Sequence, residues 1–455
     1  MRLVSTLLGG FLASLCGAQV TIVNPAPGDR ESFGESVAIK KGVAVIAASF
    51  DPDYTGKGAI YVYEKSSTPG STWATATHTV LTASDGVSGD LLGNGGDGVD
   101  IADQLSEKPN EVEKHIVVAG AAFKGMAKGA VYVFEKTGAA GSETWQAGKT
   151  LDRKDTEAGL RDYFGLSVGI ASFQSQTPGA PLQALIVAGA PGRGASAGAA
   201  YIFSRQVAGF ERLAGTITNS PESGLVAGAT ENERFGEVVA VGARRLAGGG
   251  CAFDVVVSAP KKDRVGLPAA GEVYVYTTHD FGANFLPKRT LVARNSIAGD
   301  LNFKEFGKAL AISGDVLAVG AGSSEPPPKG VDEPTGLVHV FQRSTVNGND
   351  QWVEVVTLGK YHASAGDHFG TSVAVSFETL VVGSMESVVA GEATGAAYVF
   401  RSPEDPATGN WGTSWWEVDK LHAAESLKGD QQGSTRVRNS QLQRLISRSF
   451  ATRFG

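Results

Sequence analysis

The chain has 455 residues, 42% of them hydrophobic and 19% charged, with 60 glycines, 18 prolines and a formal net charge of −7. Ordinary proline usage excludes the collagen and low-complexity classes, and the acidic balance argues against a protein built to bind nucleic acid. Glycine at roughly twice its usual share, with few charges, points to many tight turns between short strands rather than to long helices.

Residues 1–18, MRLVSTLLGGFLASLCGA, start with Arg2 and run through an apolar stretch to Cys16-Gly17-Ala18. Small residues closing such a stretch read as a secretory signal peptide cleaved after Ala18. Its removal leaves Cys251 alone, so no internal disulfide can form and cohesion must come from packing. No later segment reaches the ~18 uninterrupted apolar residues of a membrane-spanning helix, so no transmembrane segment is expected. Residues 20–23 read as a lone outer strand, because VTIVNPAPGDRESFG aligns with HTVLTASDGVSGDLLG further on.

From residue 33 three short pieces recur in a fixed order. The first is Phe-Gly with a small alternating strand, at Phe33-Gly34, Phe164-Gly165, Phe235-Gly236, Phe306-Gly307 and Phe369-Gly370, with Leu92-Gly93 in the second unit. The second is an apolar run ending in small residues, at 43–49, 116–121, 185–191, 255–260, 316–322 and 380–384. The third is Gly-x-x-aromatic-x-aromatic, from Gly58, Gly129, Gly198, Gly271, Gly336 and Gly395, with His339 in one aromatic position. A more polar fourth strand follows, often opened by Trp, as at Trp73, Trp145, Trp352 and Trp415-Trp416.

Six units of four strands, spaced 59 to 72 residues apart and without helical period, predict an all-β β-propeller. A single antiparallel blade cannot bury both faces; stacking blades about an axis does so and protects their edges. The small residues of the first strand suit the crowded centre. The second strand is apolar on both faces, as a doubly buried strand should be. Aromatics at i and i+2 of the third share one face and fill the space between blades.

Phe164-Gly165 followed by Val187-Ala188-Gly189-Ala190-Pro191 resembles an FG-GAP repeat, the blade motif of the integrin α-subunit N-terminal β-propeller. The resemblance covers about residues 20–427 and is specific for fold rather than function. The integrin head resembles a seven-bladed ring, which implies a seventh unit near residue 430. Gly429 to Ser434 resembles the start of one, but no apolar second strand follows. Six blades and an incomplete seventh both stay open. The domain reading is therefore a signal peptide at 1–18, a propeller at 19–427, and a degenerate seventh-blade start with a basic tail at 428–455. Residues 431–455 hold five arginines and no acid, with Leu442, Leu445, Ile446 and Phe450 at helical spacing. They read either as a basic amphipathic helix or as a terminus replacing a lost blade.

Motifs with catalytic spelling are part of the repeat. Gly-x-Ser-x-Gly at 165–169 and 194–198 lacks the strand-turn-helix setting of a nucleophile elbow. The Gly93–Gly98 stretch spells a dinucleotide fingerprint without a βαβ unit, and the histidines form no metal cluster. Calcium is implied by the resemblance, because integrin heads carry Asp-rich loops between the first two strands of some blades. Here Asp97, Asp100 and Asp103 of the second unit are the candidate ligands, although their spacing departs from the family pattern. The alternative is a solvated acidic loop.

In an up-and-down blade the 2–3 and 4–1 connections share one face, the partner face of integrin-like heads. The 2–3 loops of units 2–4 hold Lys124, Lys128, Arg193, Lys261, Lys262 and Arg264 against Asp263. Those of units 5 and 6 hold Glu325, Asp332, Glu333, Glu386 and Glu392 against Lys329. A basic half and an acidic half would orient a charged partner, unless acids of the 4–1 linkers such as Asp155, Glu157, Asp162, Glu231 and Glu233 neutralise the basic half. The resulting expectation is a secreted, non-enzymatic propeller binding a protein or glycan at the cell surface or in the matrix, with no required cofactor. The alternatives are a calcium-dependent adhesion or lectin-like module and a propeller-type glycan hydrolase or lyase.

Overall fold

Runs such as VAVIAA and LIVAGA are too short and too rich in β-branched and small residues to be helices; each forms the fully buried second strand of a four-stranded antiparallel sheet. A computed structural model describes residues 22, 25, 32–40, 42–50, 56–66, 68, 71–104, 114–137, 143–146, 148–151, 160–173, 182–206, 209–212, 217–218, 232–246, 250–264, 267–279, 289–293, 305–321, 336–346, 349–359, 368–376, 378–384, 388–389, 392–393, 396–402 and 414–421. The expected signal peptide, the tail and most of the acidic loop residues of units 5 and 6 lie outside these.

The chain is an all-β propeller of six blades with strand order 1-2-3-4 in each. Blade 1 comprises Phe33–Lys40, Val43–Ala48, Ala59–Glu64 and Thr77–Leu81. Blade 2 comprises Val99–Gln104, Lys114–Ala121 and Ala130–Thr137, with a fourth strand split into Thr144–Trp145 and Lys149–Thr150. Blade 3 comprises Val168–Phe173, Gln183–Ala190 and Ala199–Gln206, its fourth strand likewise split into Gly209–Arg212 and Ile217–Thr218. Blade 4 comprises Val239–Arg245, Cys251–Ala259, Glu272–Thr278 and Arg289–Leu291. Blade 5 comprises Ala309–Ser313, Val316–Ala321, Leu337–Val346 and Asn349–Leu358. Blade 6 comprises Phe369–Ser376, Thr379–Ser384, Ala396–Arg401 and Trp416–Leu421. A small hairpin, Val388–Val389 with Glu392–Ala393, sits in its 2–3 connection.

Each successive pair of blades, from 1–2 to 5–6, shares an apolar core. The other face of blade 1 has its own cluster around Tyr61 and Tyr63, onto which Ile22 packs. The Phe of each Phe-Gly is met edge-on or tilted by the first third-strand aromatic of its own blade. These pairs are Phe33–Tyr61, Phe164–Tyr201, Phe235–Tyr274, Phe306–His339 and Phe369–Tyr398, with centroids 5.2–5.5 Å apart.

The repeated glycines mark where one blade's backbone touches the next. A Cβ on Gly189 would land on the carbonyl oxygen of Gly236, and one on Gly129 (φ +83°) on that of Phe164. Hydroxyls of the first strands add further ties. Ser36 Oγ accepts the Val99 N–H at 3.1 Å, and Ser167 Oγ accepts the Val239 N–H at 2.9 Å. One expectation shifts: Trp73 does not open a strand but lies in a short 3-10 turn, Trp73–Thr75, ahead of it.

Candidate functional site

The 2–3 loops and the 4–1 linkers emerge together and are joined by backbone hydrogen bonds. In blade 2 the loop begins with a single turn, Lys124–Ala127, in which Gly125, Met126 and Ala127 have φ of +60° to +62°. Blade 3 repeats it at Arg193–Ser196, with Gly194, Ala195 and Ser196 at +55° to +67°. In blades 2 to 6 the residue just ahead of Phe-Gly is also left-handed: Leu91 (ahead of Leu92-Gly93), Tyr163, Arg234, Glu305 and His368, at φ +50° to +59°.

The two left-handed stretches meet across blades. Arg161 N–H donates to the Met126 carbonyl (3.3 Å), and Tyr163 N–H to that of Ala127 (2.8 Å). One blade on, Asn232 N–H donates to Ala195 (3.3 Å) and Arg234 N–H to Ser196 (2.8 Å). Each non-glycine residue held this way costs about 1–2 kcal/mol, so the geometry is sustained by the packing and hydrogen bonds around it. Sequence reasoning missed the motif; its trace was the equal length and small-residue content of KGMAKG and RGASAG.

The charges on this face are largely paired. Lys124 Nζ lies 2.9 Å from Asp90 Oδ2 and 3.4 Å from Asp85 Oδ2, and donates to the Asp85 carbonyl at 2.8 Å. Burial works against its charge, but the hydrogen bond to Asp90 and further favourable interactions raise its pKa above the ordinary lysine value. The Tyr132 hydroxyl donates to Asp85 at 2.6 Å, which lowers the Asp85 pKa, while burial and that carboxylate push the tyrosine up to about 12.

Lys262 pairs with the buried Glu233 at 2.6 Å, and Lys261 pairs with the buried Glu305. The Arg193 guanidinium sits 5.8 Å from the Tyr201 ring centroid. Arg264 exchanges backbone hydrogen bonds with Leu267 (2.9 and 2.7 Å), and Lys128 is exposed. Linker acids thus neutralise three of the six candidate cations, Lys124, Lys261 and Lys262. Of the opposing acids, Glu392 lies in the small hairpin of blade 6, while Glu325, Asp332, Glu333 and Glu386 lie outside the described residues.

The candidate calcium ligands sit differently from the sequence reading. Asp97 lies in the turn before blade 2, and Asp100 and Asp103 lie inside its first strand, Val99–Gln104, because the Gly95-Gly96-Asp97-Gly98 insertion delays the start of the strand. Both Asp100 carboxylate oxygens accept backbone N–H groups at 2.8 Å, from Ile101 and from Ile170 of blade 3. Asp100 therefore acts as an inter-blade tie. Burial raises Asp100 to about 6, and burial with the Asp100 charge raises Asp97 to about 7. Among the described residues no three acidic, His or Cys side chains converge to hold a metal; the Asp103 side chain lies outside them.

The catalytic spellings serve the fold. Ser167, in the first Gly-x-Ser-x-Gly, accepts the Val239 N–H, and Ser196, in the second, is in the left-handed turn. In the Gly-rich stretch the Gly95 N–H and the Asn94 amide donate to the buried Glu35 carboxylate at 3.1 and 2.8 Å. His339 is fully buried, with Nδ1 2.8 Å from Glu354.

Comparison with known proteins finds a repeat family in part of the chain. Residues 352–400, from the fourth strand of blade 5 into the third of blade 6, match the FG-GAP repeat model. No curated protein matches the sequence. Among solved structures the chain is similar to the six-bladed fungal lectin of Aleuria aurantia, at 11% identity and TM-score 0.34, covering 71% of this chain and 94% of the lectin. It is also similar to AofleA from Arthrobotrys oligospora, at 9% identity and TM-score 0.39, covering 86% and 88%. A third is the Penicillium chrysogenum α-L-arabinanase complexed with arabinobiose, at 10% identity and TM-score 0.38, covering 78% and 89%.

Proposed function

We propose that this chain, an FG-GAP repeat β-propeller, is a secreted, non-enzymatic binding module that engages a protein or glycan through the face of its 2–3 loops and 4–1 linkers. The observation that carries this reading is the pinned, left-handed geometry of that face. Backbone strain is retained where a surface must be presented in one shape, and a pre-shaped surface loses less entropy on binding. The ion pairs of Lys124, Lys261 and Lys262 stiffen the same loops. In this reading the acids and hydroxyls of the repeat hold blades together, and the chemistry of the protein lies in recognition.

The test is steric. Purified protein is screened on arrays of extracellular proteins and glycans. It is then re-screened with a large polyethylene glycol on Ser88→Cys, an exposed linker position, or on Thr79→Cys, exposed on the fourth strand of blade 1. The native Cys251 is buried, and burial pushes its thiol up to about 11, so it should not compete for the reagent. Binding blocked by the first conjugate and spared by the second supports the reading. Turnover of a polysaccharide by the purified protein, or binding blocked only from the rim, overturns it.

A further inference from the structure

We propose that the partner-binding part of this face is centred on blades 2 and 3 and takes an acidic, apolar segment of another protein. The inference rests on the reading above and narrows it. Among the described residues eight large apolar side chains are exposed, and five lie on this one face: Phe50 (48%), Val87 (59%), Phe123 (38%), Met126 (78%) and Leu160 (59%). Exposed apolar side chains gathered in one place mark an interaction site far more often than the same number scattered.

Four of them sit on segments that are tied to one another. The Phe123 ring meets Tyr163 edge to face, with centroids 5.7 Å apart. The Met126 carbonyl holds the Arg161 N–H, and Leu160 is the next residue along the linker. Val87 is tied to the same loop through Asp90, whose Oδ2 accepts both the Val87 N–H and the Lys124 ammonium at 2.9 Å. Met126 is the most exposed of the set and is itself left-handed, at φ +60°. A large apolar side chain held in that backbone state and pointed at water offsets nothing in the fold.

The charge around the apolar centre selects the partner. Lys57 and Lys128 occupy equivalent places just ahead of Gly58 and Gly129, and Arg161 adjoins Leu160. None of the three forms an ion pair among the described residues, whereas the nearby Asp85 and Asp90 are already engaged by Lys124. Cations unpaired among the described residues, around Met, Val, Leu and Phe side chains, complement carboxylates flanking an apolar side chain. The aliphatic Val87, Met126 and Leu160 are more exposed than Phe50 and Phe123, which favours a protein segment over a sugar stacked on a flat aromatic platform.

The experiment uses the whole protein and two defined probes: a display library of short disulfide-closed peptide loops, and heparin oligosaccharides. The expected result is enrichment of loops with Asp or Glu beside Leu, Ile, Met or Phe. Their affinity should fall about tenfold or more with Met126→Glu, with Leu160→Glu and with Lys128→Glu. Thr79→Glu, exposed on the fourth strand of blade 1 and away from this face, should leave it unchanged. Unchanged melting temperatures for the exposed-site variants exclude misfolding. Enriched loops that ignore blades 2 and 3 but are blocked by polyethylene glycol elsewhere on the face overturn this inference and spare the broader reading. Loops insensitive to every variant and conjugate on the face overturn both. Heparin binding that needs Lys57, Lys128 and Arg161 but not Met126, with no acidic loop enriched, overturns the protein segment in favour of an anionic glycan.

Discussion

Gly189 and Gly96 separate two uses of glycine in a chain that has sixty of them. A Cβ at Gly189 would collide with the Gly236 backbone, whereas one at Gly96 meets nothing within 4 Å. Gly189→Ala should therefore push blades 3 and 4 apart and cost about 2 kcal/mol or more, while Gly96→Ala should be near neutral; chemical denaturation of the two variants checks this. Asp97 makes a second residue-scale prediction. Its pKa rises from 3.8 to about 7 on folding, through burial and then the Asp100 charge. The native state thus holds a proton that the unfolded chain has lost between about pH 4 and 7, and stability falls as pH rises through that window. Asp97→Asn should raise the melting temperature at pH 8 by a few degrees and leave it nearly unchanged at pH 4. A calcium-dependent rise that this substitution abolishes would instead make Asp97 a ligand.

At the scale of elements, neighbouring blades are stitched at three depths. Near the axis Ser36, Asp100 and Ser167 accept backbone N–H groups from the next first strand. In the middle the apolar clusters alternate with the blades. Further out, charged ends of strands pair: Lys136 with Glu64 at 2.7 Å, Arg205 with Glu135, and Arg343 with Asp254. The last belongs to a network in which Arg244 and Arg343 both reach Asp254 and Asp350, and Arg343 also covers the Trp352 ring at 4.5 Å. Asp254 and the Arg343 side chain are almost fully buried, so removing Arg343 leaves the Asp254 charge with only the longer Arg244 pair at 3.5 Å and the Thr277 hydroxyl. Arg343→Leu should cost about 3–5 kcal/mol, and adding Asp254→Asn should recover part of it; a double-mutant cycle by equilibrium unfolding measures the coupling.

For the whole molecule, the repeat carried nearly all of the fold in its letters. Strand 2 of every blade, the buried third-strand aromatics and the six recognisable units follow from pieces recurring in fixed order, because each piece meets the same neighbours in each blade. The candidate site was much less legible. Lys124, Lys261 and Lys262 are visible as loop cations, but their carboxylate partners lie 29 to 44 positions away in linkers of irregular length. Met126 reads as an unremarkable loop residue until its backbone is seen pinned to Arg161. Asp100 looks like a loop ligand until the delayed strand start turns it into an acceptor for blade 3. Local composition and periodicity, then, were enough to determine that this chain forms stacked four-stranded blades, since burying both faces of a short apolar strand leaves few other solutions. Which charges cancel, which apolar side chains remain in water and which carboxylates are spent on the backbone were decided only by the tertiary structure, because each depends on distances between segments that no local pattern encodes.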